Sequence, residues 1–255
     1  MSAQLHGLGV VITRPREPGQ ALADAVARAG GKPIVFPALA IEDASSPAVE
    51  DVLGRLRGAH LAIFVSAHAV EKGLAAVRAR RPWPAAVRVA GVGEATAEAL
   101  RNSGFPVVIS PPERHDSEGL LELAELQAVK GLHIIVFRGH GGRERLKDVL
   151  EERGARVEYA ECYRRVRPDT DPAPLLAAFA RGEVQVVSAL SGETLENFVA
   201  MVGPAATRHL AAATLVVPHP AVGAHREARR FARVLVAPHG ADGFIDTLSQ
   251  LRVPS

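Results

Sequence analysis

The chain spells one alternation of strand and helix twice, and this repetition restricts its fold more than any other feature. The stretch "VVITRPREPGQALADAVARAGGKPIVF" resembles "HIIVFRGHGGRERLKDVLEERGARVEY": Arg14 matches Arg138, Leu22 matches Leu146, Val26 matches Leu150 and Gly30 matches Gly154, all without a gap. "FVSAHAVE" then lines up with "VVSALSGE", pairing Ser66 with Ser188, and "SEGLL" (117–121) with "ADGFI" (241–245). Three units in the same order at nearly constant spacing argue for duplication.

Ten short apolar runs are expected as strands: Leu8–Thr13, Pro33–Phe36, Leu61–Val65, Val87–Ala90, Pro106–Ile109, Leu132–Phe137, Arg156–Ala160, Val184–Ser188, Thr214–Val217 and Arg233–Val236. Continuous apolar runs suit strands buried on both faces. Helices are expected between them, at Ala21–Ala29 and Arg143–Arg153 among others, with Gly30, Gly104 and Gly154 where helices should stop. The predicted class is α/β, with two doubly wound parallel-sheet domains of about five strands each. The polar segments Ala38–Ser46 and Glu161–Pro172 read as defined crossings between domains, either paired as strands or irregular, and not as floppy tethers.

Composition narrows the function. A net charge of +2 gives no electrostatic case for nucleic acid, although an arginine excess suits an anionic small molecule. The single cysteine, Cys162, excludes an internal disulfide, as in a reducing cytosol. The first residues do not read as a signal peptide, and no apolar run approaches the roughly 20 residues that span a bilayer. A cytoplasmic protein without membrane partners is expected. No HExxH motif and no cysteine cluster occurs, so no metal is expected.

Several segments invite a ligand. In "FRGHGGRERL", a helix is expected to begin near Gly142, with Arg138, Gly139 and Gly141 before it and Arg143 at its start. This is either an anion site built from backbone N–H groups and guanidinium forks, or a tight turn with solvated arginines. It lacks the GK[ST] of a Walker loop. Thr13 and Arg14 occupy the equivalent place in the first half, where Thr13 alternatively caps a helix and Arg14 pairs with a surface acid. "AGVGEATAEAL" offers Gly93 and Thr96 at a helix N-terminus; Thr96 stands where a dinucleotide fingerprint needs a third glycine. Ser66, Ser188 and Ser191 either cap helices or meet ligand oxygens. His219 sits between prolines after a strand, and Tyr163, on the second crossing, either donates a proton or packs.

Together "VITRPRE", "FVSAHAVEKGL", "VAGVGEATAEALRNSG", "SEGLL", "FRGHGGRERLKDVLEERGARVEYAECYRR" and "VSALSGETLENF" resemble the uroporphyrinogen-III synthase family along nearly the whole chain. His68 stands where that family often carries Asn. The resemblance implies an exchange of segments, with one domain from 1–39 plus 168–255 and the other from 40–167. It also implies a two-stranded connector and an active site in the cleft between the domains. The implied reaction is cofactor-free cyclisation of hydroxymethylbilane to uroporphyrinogen III, with loss of water and inversion of ring D, by a monomer. The implied substrate contacts are Thr13, Arg14, Ser66, Ala67, His68, Gly93, Thr96, Ser117, Arg138, Gly139, Arg143, Ser188, Ser191 and His219. Tyr163 is implied as a general acid, since a phenol carries its proton at neutral pH. Two rivals share the architecture: a cytosolic binding protein or sensor for an anionic small molecule, and a nucleotide-dependent transferase.

Overall fold

The computed structural model describes residues 5–238 and 240–251. Ten strands run in chain order: β1 (Gly9–Ile12), β2 (Lys32–Val35), β3 (Ala40–Asp43), β4 (Leu61–Phe64), β5 (Arg88–Gly91), β6 (His133–Gly139), β7 (Arg156–Val166), β8 (Val186–Ser188), β9 (Thr214–Val217) and β10 (Arg233–Val236). The chain folds as two compact units. One holds the segments up to Ala40 and from Val166, the other Ile41–Arg165.

In the first unit the sheet order is β10-β9-β8-β1-β2, and every pairing is parallel. Val10 and Ile12 face one apolar cluster and Val11 the other, so the period-2 alternation of the strand feeds a core on each side. The helix Arg16–Arg28 packs Leu22, Ala23 and Val26 on the Val10 side. The helix Gly192–Val202 packs Leu195, Phe198 and Val202 on the Val11 side.

The second unit repeats the plan with β3-β7-β6-β4-β5. Leu61 and Ile63 face one cluster, Ala62 and Phe64 the other. Aromatics are scarce, so their placement matters: Phe64 and Phe137 stack at 4.6 Å between ring centroids, with Trp83 beside both. Burying each phenyl ring contributes about 1.5–3 kcal/mol. Helices end where glycine allows a left-handed turn, as at Gly154 (φ +86°) after the helix Arg145–Glu152.

Three expectations need correction. Pro106–Ile109 forms no ladder; a single parallel bridge joins Ile109 to Ala90, and Val107 is 78% exposed. Pro106 has no N–H to give, and the segment lies on the outer flank of β5. The fifth strand of that sheet is β3, beside β7. The helix expected near Gly142 begins at Arg145, because Gly141 and Gly142 both take positive φ. The repeat register also shifts by three residues. β1 pairs Val10 with Val186, and β6 pairs Ile134 with Leu61. Val10 and Ile134 are counterparts, so Val186 answers to Leu61, and Ser191, not Ser188, answers to Ser66. Both Ser66 and Ser191 cap the helix that follows, accepting the N–H of the third residue onward.

Candidate functional site

In a doubly wound sheet, ligands gather beyond the carboxyl ends of the strands where neighbouring strands send their helices to opposite faces. In the second unit that point lies between β4 and β6. The helix Ala67–Arg78 covers one face through Val70, Leu74 and Val77, and the helix Arg145–Glu152 covers the other through Leu146 and Leu150. A hollow of about 200 Å³ opens there, lined among others by Ser117, Arg138, Gly139, Arg143, Tyr159 and Tyr163.

Tyr163 owes its place to an irregularity in the ladder. Arg138 pairs with Glu161, but Gly139 pairs with Tyr163, so β7 carries an extra residue there. Cys162 and Tyr163 are consequently both buried although they are neighbours in a strand, where burial normally alternates. Tyr163 Oη stands 3.1 Å from Ser66 Oγ, and Ser66 Oγ accepts the N–H of Ala69 at 3.1 Å. The His68 ring lies 6.1 Å from the Tyr163 ring, and Ala67 opens the capped helix. Gly139 is required by this packing, since a Cβ there would fall 2.6 Å from Tyr163 Cε2. Burial pushes the Cys162 thiol up to about 12.

Arg138 is 5% exposed. Its guanidinium donates to the carbonyls of Gly139 and Gly141 and to Glu144, approaches Glu161 at 4.0 Å, and lies 4.3 Å over the Tyr159 ring. Arg143, in the same loop, is exposed and makes no ion pair among the described residues. Tyr159 is a feature the sequence reading missed. Its buried Oη has no hydrogen-bond partner, and burial, reinforced by Glu144, pushes its phenol well above the ordinary tyrosine range. The available signal was its scarcity, as one of two tyrosines, both on β7.

Other expected residues sit apart from this hollow's lining. Gly93 precedes the helix Glu94–Asn102 without a side-chain cap, and Thr96 is buried in its first turn. In the first unit, Thr13 Oγ1 donates to the Ser188 carbonyl at 2.6 Å and Ser188 Oγ to that of Val11 at 3.1 Å. Neither hydroxyl caps a helix; both tie β1 to β8. Ser191 caps the helix Gly192–Val202, and exposed His219 accepts the Ala221 N–H at 3.1 Å. Arg14 lines a smaller hollow of about 30 Å³ with Ser188, Pro218, Gly240 and Phe244. Among the described residues, no helix is long and apolar enough to cross a membrane.

The family model described as uroporphyrinogen-III synthase HemD matches residues 20–243. The uroporphyrinogen-III synthase of Salmonella typhimurium is 35% identical over 193 residues, 74% of this chain and 78% of that protein. Its counterpart from Escherichia coli K12 is 31% identical over 197 residues, 76% of this chain and 80% of that protein. Among solved structures, a mutant uroporphyrinogen III synthase from the extremely thermophilic bacterium Thermus thermophilus superposes with a TM-score of 0.58 at 19% identity. That match covers 94% of this chain and 96% of the other.

Proposed function

The chain belongs to the uroporphyrinogen-III synthase family, and on that footing we propose how its own residues carry the family's reaction. The activity is that of a cyclising lyase of tetrapyrrole biosynthesis. Hydroxymethylbilane loses its hydroxyl as water, and the chain closes with ring D inverted, giving uroporphyrinogen III. The observation that carries this reading is the family match over residues 20–243, which includes both Ser66 and Tyr163.

The free substrate closes without inversion. The protein must therefore control orientation, so that ring D attacks through its substituted carbon. Tyr163 gives its proton to the departing hydroxyl. The phenolate left behind would be met by the Ser66 hydroxyl 3.1 Å away, while the Ala69 N–H holds the Ser66 oxygen. Both stand at the N-terminus of the helix Ala67–Arg78, whose dipole favours negative charge. The acetate and propionate groups on each pyrrole call for cations and free N–H donors. Exposed Arg143 supplies a cation at the second unit's hollow, and Ser117, also on its lining, a hydroxyl. The working form is a cytoplasmic monomer needing no cofactor. The test is consumption of freshly made hydroxymethylbilane, which the protein accelerates over the spontaneous rate. Tight equilibrium binding of ATP or NAD would favour a nucleotide-dependent enzyme instead.

A further inference from the structure

We infer that the two arginines related by the internal repeat have divided their work: Arg14 receives a substrate carboxylate, and Arg138 is a positioning residue that never meets the substrate. The inference rests on the functional reading above, since it takes the ligand to be a polycarboxylate. Arg14 lies just beyond β1 and Arg138 is the next-to-last residue of β6, at matched positions of the repeat and at the equivalent switch point of each sheet. Their surroundings are opposite.

Arg138 is partnered at every nitrogen. Its donors are spent on Gly139, Gly141 and Glu144, Glu161 lies nearby, and Tyr159 covers its face. Those contacts tie the loop from Gly139 to Glu144 back onto β6. Gly142 takes φ +108°, which L side chains rarely adopt, and a Cβ there would lie 2.8 Å from Arg138 Nη2 and displace it. Through Gly139 the same loop walls the Tyr163 ring, so Arg138 fixes the phenol indirectly. Three of its five N–H groups are engaged, one at each nitrogen, and Glu144 and Glu161 already balance its charge, which leaves a substrate carboxylate little to gain there.

Arg14 is unsaturated. It is half-buried and makes no ion pair among the described residues, and its buried Nε has no hydrogen-bond partner. Thr13 and Ser188 direct their hydroxyl protons to backbone carbonyls, and neither oxygen accepts from Arg14 Nε. A buried donor without a partner is a standing cost that a ligand recovers on binding. The planar fork of a guanidinium matches a carboxylate, and the hollow beside it, next to Gly240 and Phe244, has room for one small group.

The test uses the full chain with Arg14→Ala, Arg14→Lys, Arg138→Gln and Arg138→Lys. Unfolding without ligand is read first. Arg14→Ala should melt at or above the wild-type temperature, and Arg138→Gln several degrees below it. Steady-state kinetics at a temperature where every variant is folded come second. Arg14→Ala should raise KM about tenfold or more with kcat little changed, and Arg14→Lys should recover part of the loss. Arg138→Gln should lower kcat about tenfold, with KM within about twofold of wild type, and Arg138→Lys should restore part of that kcat. An Arg14→Ala variant with wild-type KM overturns the inference, as does an Arg138→Gln variant that keeps its melting temperature and loses affinity. Wild-type protein that yields only the type I isomer would sink the functional reading instead; the melting temperatures would still decide which arginine is tied into the fold.

Discussion

Tyr163 Oη and Ser66 Oγ approach to 3.1 Å across 97 residues of sequence, one at a bulge in β7 and the other at the cap that follows β4. The contact couples a helix start to a phenol, so changes at either residue should register at the other. Tyr163→Phe removes the proton donor while keeping the ring. Turnover should fall about a hundredfold or more, with KM and melting temperature close to wild type, as read by steady-state kinetics and thermal unfolding. Unchanged kcat would end the acid role.

Ser66→Ala should show two separable effects. Loss of the cap should destabilise the protein by about 1 kcal/mol in chemical denaturation. Loss of the hydroxyl should also lower kcat, because nothing then answers the phenolate. A variant that loses stability alone would confine Ser66 to capping.

Gly139→Ala places a methyl group against the Tyr163 ring, with Tyr163 Cε2 only 2.6 Å away. Overpacking of this kind costs about 1–3 kcal/mol. Since the ring must shift, kcat should fall more than in a control of similar stability loss, such as Leu146→Val on the neighbouring helix.

Glu158 should govern acid stability. Burial alone would raise its pKa, but hydrogen bonds from Arg55 and His133 and the charges of Arg55 and Arg156 prevail and hold it below the ordinary carboxylate value. A depressed folded-state pKa gives stability that is present above about pH 4 and lost as pH falls through the folded value. Urea titrations from pH 7 down to pH 3 should therefore show wild type losing stability to acid more steeply than Glu158→Gln. Parallel curves would contradict it.

Cys162 should be chemically silent. Burial raises its pKa from 9.0 to about 12, so the thiolate is scarce and shielded at neutral pH. Native protein should resist iodoacetamide at pH 8 until denaturant is added. The sign at high pH follows: a raised folded-state pKa supplies stability below about pH 9 that is lost as pH climbs towards about 12. Rapid labelling of the folded protein would refute the buried placement.

The α/β class was legible because most strands are short apolar runs and the helices between them carry a stripe, as in Leu22, Ala23 and Val26. Two things escaped. β3 (AIED) is half-polar and half-exposed, so hydrophobicity does not mark it, whereas Pro106–Ile109 looks like a strand but begins with a residue that cannot donate to a ladder. The pairing of Ser66 with Ser188 failed for a related reason: local similarity cannot see the register that β1 imposes on β8. At the candidate site, residue types were readable but their commitments were not. Arg14 and Arg138 occupy matched positions, and only their partners tell them apart. The Tyr163–Ser66 contact depends on a bulge, which no spacing rule announces.

The most direct test is the isomer formed. Purified protein would be given freshly generated hydroxymethylbilane, and the products would be oxidised and separated by chromatography beside a protein-free control. The account predicts predominantly type III product, with type I in the control. Type I alone from folded protein would contradict it.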